Sequence, residues 1–172
     1  MIVGRGDLAS ALKGKWFEPS IRFLFFVSGV SNSLCEDENE FKRERDLLLS
    51  QNKNKHIIYF STISIWFKDS FYTRHKLNME SLVKENFKSY TIIRIGNITW
   101  GANSNTLINF IKNKLINGDN FEVKDEFKFL INEKDLLNSL SLISDGEKSE
   151  FNLTGRILKV SEIVDLIGKK EI

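Results

Sequence analysis

Three long apolar runs constrain the fold more than any other feature of this sequence. They are "SIRFLFFVSG", "KHIIYFSTISI" and "SYTIIRIGNITWG", and each has the length of a strand. Strands that are apolar on both sides are typical of parallel sheets covered on both faces. The helical patterns "EDENEFKRERDLLLSQ" and "SFYTRHKLNMESLVKENF" lie between these runs. Strands that alternate with helices predict an α/β fold, a doubly wound and mainly parallel sheet with helices on both faces.

The flanking segments complete this prediction. "MIVGRGDLASALKGK" opens as a short strand, a glycine turn and a helix from about Asp7. After Gly101 we expect helices in "NTLINFIKNKLING", "NEKDLLNSLSLIS" and "KVSEIVDLIGKK", two short strands in "FEVKDEFKFLI" and one strand in "EFNLTG". The turn signal "NGDN" divides residues 1–116, the core, from residues 117–172, a small C-terminal α+β region packed on it in a single compact domain.

Composition excludes several classes of protein. The net charge is only +2, and the lysines are spread along the chain, which argues against nucleic acid as a partner. Cys35 is the only cysteine, so a reducing compartment is expected. No signal peptide is recognisable and no apolar run is long enough to span a bilayer, so we expect a cytoplasmic protein without a membrane partner. His56 and His75 have no further ligand at metal spacing, so no metal is expected, and His75 is predicted to be exposed.

The glycine turn is the first candidate site. Gly4 and Gly6 follow the opening strand, and Ala9 lies in the first turn of the helix. Glycines let the backbone approach a pyrophosphate, and the helix N-terminus offers unpaired N–H groups. The alternative is an ordinary strand-to-helix turn.

Hydroxyl and amine groups follow at the next strands. Ser61 and Thr62 end a buried strand at the carboxyl edge of the sheet, where ligands bind in such folds, although they could simply cap the next segment. Tyr72 and Lys76 share one face of the following helix. An ammonium beside a phenol lowers the pKa of the tyrosine and suits it to general acid–base work. The pattern also arises by chance on the solvent side of helices. Asn97, after a strand and a glycine, can approach a ligand or form a plain turn.

Taken in order, these motifs resemble the short-chain dehydrogenase/reductase superfamily, and in particular its extended branch of nucleotide-sugar epimerases, dehydratases and reductases. "VGRGDLASAL" is similar to the glycine turn of that branch, "FFVSGVSNS" to its cofactor-lining strand end, "YFSTISIW" to its Ser/Thr strand, "YTRHKLNME" to its catalytic helix and "IIRIGNITWG" to the strand that follows. "FKFLINEKDLLNSL" and "EFNLTGRILKVSEIVDLIG" are similar to its C-terminal pattern, so the resemblance covers most of the chain.

The resemblance implies an oxidoreductase or epimerase that uses NAD(P) on a nucleotide-sugar or related carbohydrate, as in surface-polysaccharide metabolism. It makes Tyr72 the general acid/base and Thr62 the hydroxyl that orients the reacting oxygen, with Ser61 as the alternative. Lys76 would hold the nicotinamide ribose and lower the pKa of Tyr72. The implied cofactor-binding residues are Gly4, Arg5, Gly6, Asp7, Leu8, Ser28, Gly29, Lys76 and Asn97, and the implied substrate-binding residues are Ser61, Thr62 and Asn97.

The chain departs from the branch in two ways. Val3 and Ala9 stand where the branch has glycine. By Ile21 the chain has already reached what looks like the fourth strand, so strands two and three and the acidic residue for the adenosine ribose are missing. Half of the adenosine pocket is therefore expected to be absent or supplied by a partner. Arg5 favours NADP over NAD, unless it is a solvated surface charge.

Two classes of function remain open. One is a shortened working enzyme, favoured by the joint presence of Thr62, Tyr72 and Lys76. The other is a non-catalytic relative that binds a nucleotide or a protein, favoured by the departures at the cofactor site. Relatives often pair through two helices, here about residues 36–50 and 71–86, so a homodimer is expected. Four residues could provide the apolar contacts of this dimer, or could face the sheet of their own chain: Phe41, Leu48, Leu82 and Val83.

Overall fold

The computed structural model describes residues 1–15 and 22–172. Five strands form one sheet whose neighbours are all parallel. In spatial order they are β1 (Ile2–Val3), β2 (Phe23–Phe26), β3 (His56–Thr62), β4 (Tyr90–Ile95) and β7 (Lys148–Leu153). The predicted parallel sheet is confirmed, with its three apolar runs as the central strands.

Helices cover both faces of this sheet. On one face, α2 (Glu38–Leu49) and α3 (Phe71–Asn86) contribute Leu48 and Val83 to a core that includes Leu24 and Tyr59. On the other face, α1 (Asp7–Lys15) and α5 (Glu133–Leu140) pack Leu12 and Leu136 against residues such as Ile58. Side chains of successive strand residues point to opposite faces, and this is how each apolar run supplies both cores. The doubly wound architecture is confirmed.

A second sheet of three strands lies beyond the main one. It contains β5 (Asn97–Ile98), β6 (Phe127–Ile131) and β8 (Arg156–Lys159), with β5 parallel and β8 antiparallel to β6. Leu130 of β6 packs into a third core with α4 (Leu107–Asn117) and α6 (Val160–Gly168). Strand β7, which also comes from the C-terminal region, belongs to the main sheet instead. The division at residues 116/117 stays a prediction.

The C-terminal half corrects some local predictions. "FEVKDEFKFLI" contains one strand and not two, because β6 begins only at Phe127. Strand β8 was not predicted from the sequence. Its four residues are exposed or partly buried, and they form a strand because they pair with β6. Helix α5 ends at Leu140, earlier than "NEKDLLNSLSLIS" suggests, and Ser141 caps it.

The amino-terminal edge of the main sheet is short. Strand β1 pairs with β2 alone through Ile2 and Val3, and no strand of the described residues lies on its other side. The predicted strand entry at Ile21 lies outside the described residues. Among residues 1–15 and 22–172, no helix has the length and apolar character needed to cross a bilayer.

Candidate active site

A cavity of about 850 Å³ opens at the carboxyl ends of β2, β3 and β4. Parallel strands end together at one edge of a sheet, so side chains distant in sequence meet there. All but one of the predicted site residues line the cavity: Arg5, Gly6, Asp7, Leu8, Ser28, Gly29, Ser61, Thr62, Tyr72, Lys76 and Asn97.

Gly4 is the exception among the predicted residues. Its φ of +146° is accessible mainly to glycine, and a Cβ atom there would lie 2.5 Å from the carbonyl oxygen of Val27. Gly4 therefore allows the turn to pass close to the end of β2 and does not face the cavity. Gly6 does face it, because a Cβ atom at Gly6 would meet nothing within 4 Å.

Tyr72 lies in the first turn of α3, where local sequence fixes its position. Ser70 and Thr73 form a reciprocal capping box that starts the helix. The Tyr72 side chain is 8% exposed, and the Thr62 side chain lies close enough to lower the pKa of Tyr72. The Thr62 hydroxyl accepts a hydrogen bond from the backbone N–H of Ser64, at 3.2 Å. The two hydroxyls thus meet at the cavity although they come from different elements.

Lys76 lies one helical turn after Tyr72, and its ammonium is 5.8 Å from the centroid of the Tyr72 ring. The ammonium donates to Glu44 Oε1 at 2.9 Å and to the Tyr59 hydroxyl at 3.3 Å. A Cβ atom on Gly29 would lie 2.6 Å from this ammonium, so a glycine there leaves the lysine its space. Lys76 therefore reaches the cavity wall as half of an ion pair.

Glu44 is the residue of the site that sequence reasoning missed. It is fully buried, although α2 reads as a charged, solvated helix. In addition to Lys76, its carboxylate accepts hydrogen bonds from the Tyr59 hydroxyl at 2.8 Å and from the backbone N–H of Val30 at 2.6 Å. One signal could have revealed it: Glu44 lies between Phe41 and Leu48 on the inward stripe of the helix.

His75 also departs from expectation, because it is buried and not exposed. Its Nε2 lies 3.0 Å from Glu44 Oε2, and its ring stacks on Phe41 with centroids 4.3 Å apart. Burial alone would raise the pKa of Glu44. The Lys76 ammonium, the His75 ring and the Val30 N–H outweigh burial and hold that pKa far below its usual range.

The expected direction of the Tyr72 pKa shift is wrong for this structure. Burial raises the pKa of Tyr72 above its ordinary value and outweighs the lowering by Lys76. The carboxylate of Glu44 raises the pKa of Tyr72 further, and the neighbouring Thr62 side chain lowers it. Lys76 thus lies where the sequence pattern requires, but the carboxylate of Glu44 offsets its charge.

The glycine turn carries a carboxylate of its own. Asp7, the first residue of α1, accepts hydrogen bonds from the backbone N–H groups of Ala102 and Asn103 at 3.0 and 3.1 Å. The Asn103 amide donates to the Ser31 hydroxyl at 3.1 Å. The loop after β5 is therefore bound to both the glycine turn and the loop after β2. Arg5, beside Asp7, is exposed.

Further polar groups line the cavity. The Ser61 hydroxyl is buried and has no hydrogen-bond partner among the described residues, which is unusual for a buried hydroxyl. The Asn97 amide donates to the Phe129 carbonyl at 3.2 Å, and the Ser28 carbonyl accepts from Arg43 at 3.2 Å. Among the described residues the charged lining is five basic groups and one acidic group: Arg5, Arg43, Lys68, Lys76, Lys128 and Asp7. Such a lining favours an anionic ligand.

Comparison with known proteins gives the class of fold. No protein-family model and no curated relative matches the sequence. Among solved structures, the enzyme WbmG of Bordetella bronchiseptica, in complex with NAD and UDP, is 13% identical with a TM-score of 0.68; the match covers 86% of this chain and 55% of WbmG. UDP-glucuronic acid 4-epimerase of Bacillus cereus is also 13% identical, with a TM-score of 0.68, over 88% of this chain and 60% of the epimerase.

A third similar structure is dTDP-4-dehydrorhamnose reductase of Bacillus anthracis in complex with NADP, 14% identical with a TM-score of 0.67, over 87% of this chain and 62% of the reductase. The chain thus spans little more than half the length of these enzymes. The resemblance inferred from sequence is confirmed at the level of the fold. Over the part that it covers, the chain has the same Rossmann-like α/β fold as these enzymes.

Proposed function

We propose that this chain is an NAD(P)-dependent oxidoreductase or epimerase that acts on a nucleotide-sugar or a related carbohydrate. The observation that carries the proposal is that Thr62, Tyr72 and Lys76 line one cavity, with the Lys76 ammonium 5.8 Å from the centroid of the Tyr72 ring. A fold by itself does not require this set of side chains at the end of a strand. The similar structures, which are epimerases and reductases, support the same class of reaction.

The residues present fit a nicotinamide nucleotide at its phosphate and nicotinamide ends. Gly6 and the N-terminus of α1 face the cavity, as a pyrophosphate requires. The partnerless hydroxyl of Ser61 and the excess of basic groups suit a polar, anionic ligand. We infer that Gly6, Leu8, Ser28, Gly29 and Asn97 contact the cofactor. The adenosine end has no strand of the described residues beside β1 to bind it.

The nicotinamide, when bound, supplies hydride transfer to or from a sugar carbon. Tyr72 exchanges the proton at the oxygen on that carbon. The phenol of Tyr72 is protonated near neutral pH, as an ordinary tyrosine is, and burial raises its pKa further, so it is ready to donate. Thr62 accepts from the Ser64 N–H and keeps its own hydrogen for the phenol or for the substrate oxygen. This arrangement favours proton donation to a carbonyl oxygen as the carbonyl is reduced.

Titration calorimetry with NAD(H) and NADP(H) tests the proposal. Micromolar binding of either cofactor supports it, and no binding at millimolar concentration contradicts it. A useful control is Gly6→Val, because the added side chain has free space on the protein side and projects into the cavity. We expect this variant to fold normally and to lose affinity for the cofactor.

We further propose a preference for NADP, supported by the exposed Arg5 on the cavity wall. A guanidinium suits a 2′-phosphate, which NAD lacks. Arg5→Gln should weaken NADPH binding about tenfold, the effect of losing one exposed charge-assisted hydrogen bond, and should leave NADH binding nearly unchanged. Equal losses for the two cofactors would contradict the preference.

A second candidate function is a nucleotide- or protein-binding relative without catalysis. One observation favours it: the Asp7 carboxylate at the start of α1 binds the loop at Ala102 and Asn103, where it would repel a pyrophosphate. This candidate predicts that a panel of UDP- and dTDP-sugars gives no turnover with either cofactor, even where a nucleotide binds.

The expected homodimer through α2 and α3 remains a proposal. Leu48 and Val83 face the sheet and are fully buried within the chain, so they are not available for such an interface. Phe41 and Leu82 are only partly buried and remain as candidates. Analytical ultracentrifugation of the wild-type chain and of Leu82→Glu would test this arrangement, with a monomeric wild-type chain as the contradicting result.

A further inference from the structure

A buried carboxylate stands directly behind the candidate catalytic pair. Glu44 comes from α2, whereas Tyr72 and Lys76 come from α3, so their meeting depends on helix packing and not on a local motif. Lys76 Nζ lies 2.9 Å from one carboxylate oxygen of Glu44 and 3.3 Å from the other. The ammonium is therefore held at the carboxylate, on the side of Lys76 away from the open cavity.

The remaining contacts of Glu44 fix the carboxylate in turn. Tyr59 and Lys76 share Oε1, while Val30 N–H and His75 share Oε2, so each oxygen has two partners. Buried charges persist in proteins when they are paired and fully hydrogen-bonded. With four partners from three separate parts of the chain, the carboxylate has little freedom to move, and it gives the ammonium a fixed position.

The charge of Glu44 acts on Tyr72 both directly and through Lys76. The ammonium lies 5.8 Å from the Tyr72 ring and would alone favour the phenolate. The paired carboxylate offsets that field, and it interacts unfavourably with a phenolate. Three further groups contact the Glu44 carboxylate of the Glu44–Lys76 ion pair: Tyr59 from β3, His75 from α3 and the Val30 N–H from the loop after β2.

We propose that Glu44 is the positioning residue of this site, which fixes the Lys76 ammonium and offsets its charge at Tyr72. This inference rests on the proposed function for its catalytic meaning, but the arrangement it describes can be measured without turnover. Glu44 touches neither the cavity nor the candidate reacting atoms, and it acts on Tyr72 by fixing Lys76 and through its own charge.

The test is Glu44→Gln, read by the titration of Tyr72. The chain contains three tyrosines, and NMR of ring-labelled tyrosine can follow each, with Tyr72→Phe and Tyr59→Phe for assignment. Once the carboxylate charge of Glu44 is lost, the positive charge of Lys76 is no longer offset and should favour the phenolate form of Tyr72. At a fixed pH below the midpoint, we expect the phenolate fraction of Tyr72 to rise about tenfold. An unchanged titration would overturn the proposal.

Glu80→Gln is the matched control. Glu80 lies on α3. Like Glu44, it is buried and paired with a cation, since it accepts a hydrogen bond from Arg94 Nε at 3.0 Å. It does not line the cavity. A merely structural effect of removing a buried carboxylate should appear in both variants. The proposal expects the Tyr72 titration to move in Glu44→Gln and to stay at its wild-type position in Glu80→Gln.

A second comparison covers the case in which Glu44→Gln folds poorly. Lys76→Met and the double variant Glu44→Gln/Lys76→Met differ only in the charge of Glu44. The double variant removes both charges of the pair, which proteins often tolerate. Tyr72 should ionise more readily in the double variant than in Lys76→Met. Identical titrations would overturn the proposal. Failure of the proposed function would appear separately, as absent cofactor binding in the wild-type chain.

Discussion

The two halves of the candidate site differ in how they are held together. The tyrosine half, made of Glu44, Thr62, Tyr72 and Lys76, lies on the central strand β3 and beneath α2 and α3. Its two charged groups, Glu44 and Lys76, are buried and paired with each other, Tyr72 is buried, and Thr62 is half-buried. The glycine half, made of Gly4, Arg5, Gly6 and Asp7, follows the two-residue edge strand β1. Its arginine is exposed, and its carboxylate binds a loop. Side chains at the central strand of the sheet are held by many neighbours, whereas side chains that follow the edge strand are held by only a few contacts.

The sharpest test of this difference is Tyr72→Phe. If Tyr72 is the general acid, as proposed, its removal should lower kcat about 10²- to 10⁴-fold, while affinity for NAD(P) stays within about twofold because the glycine half is untouched. Steady-state kinetics and calorimetry on the same protein check both statements. Unchanged turnover would remove Tyr72 from the mechanism, and lost affinity would mean that the halves are not separable.

Lys76→Met should show how strongly the tyrosine half depends on its ion pair. The substitution leaves the Glu44 carboxylate buried without its cation, and breaking a buried pair in this way costs about 3 kcal/mol of unfolding free energy. Urea denaturation followed by circular dichroism measures the loss. The control is Lys84→Met, whose half-exposed ammonium pairs with Glu150 at 2.8 Å and should cost less than about 1 kcal/mol. Similar losses in the two variants would contradict this account.

In the glycine half, stability should depend on one glycine and binding on the other. Gly4→Ala forces a side chain into a φ of +146° and against the Val27 carbonyl, which should cost about 2 kcal/mol. Gly6→Ala meets no atom within 4 Å and should change stability by less than about 0.5 kcal/mol. Thermal and urea unfolding of the pair check this. A larger loss for Gly6→Ala would reverse the assignment.

The smallest expected effect is on acid stability. Glu44 has a folded-state pKa far below the ordinary value of about 4.3. Its ionised carboxylate therefore adds to the free energy of unfolding at pH values above about 4.3, and this added stability is lost as the pH falls below that value toward the folded-state pKa. The stability advantage of the wild-type chain over Glu44→Gln should shrink by about 1 kcal/mol between about pH 4 and about pH 3. Urea denaturation at the two pH values measures it. A constant difference would mean that Glu44 is not an ionised, paired carboxylate.

Much of the fold and part of the site could be predicted from local patterns. The order of strands and helices follows from apolar runs and from periodicity, and the start of α3 follows from Ser70 and Thr73. The site residues on strand ends came together because parallel strands end at one edge. Strand β8 could not be predicted, since its residues are strand-like only in their pairing with β6.

Predictions about charge were weaker for a different reason. His75 and Glu44 are ordinary polar residues on a helix until the partner element is known. Tyr72 and Lys76 were correctly placed near each other, yet the direction of the Tyr72 pKa shift was wrong because burial and Glu44 were not visible in the local motif. A pKa depends on solvent exclusion and on neighbours within a few ångströms.

The sequence by itself determined the α/β order, the glycine turn and the spacing that puts a phenol and an ammonium on one helical face, because these depend on residues a few positions apart. Only the tertiary structure decided that the ammonium is paired, that His75 is buried and that the phenol stays protonated. Those properties arise where α2, α3 and β3 meet and exclude water, through the contacts of Glu44 with Tyr59 and with Lys76, which are 15 and 32 positions away along the chain.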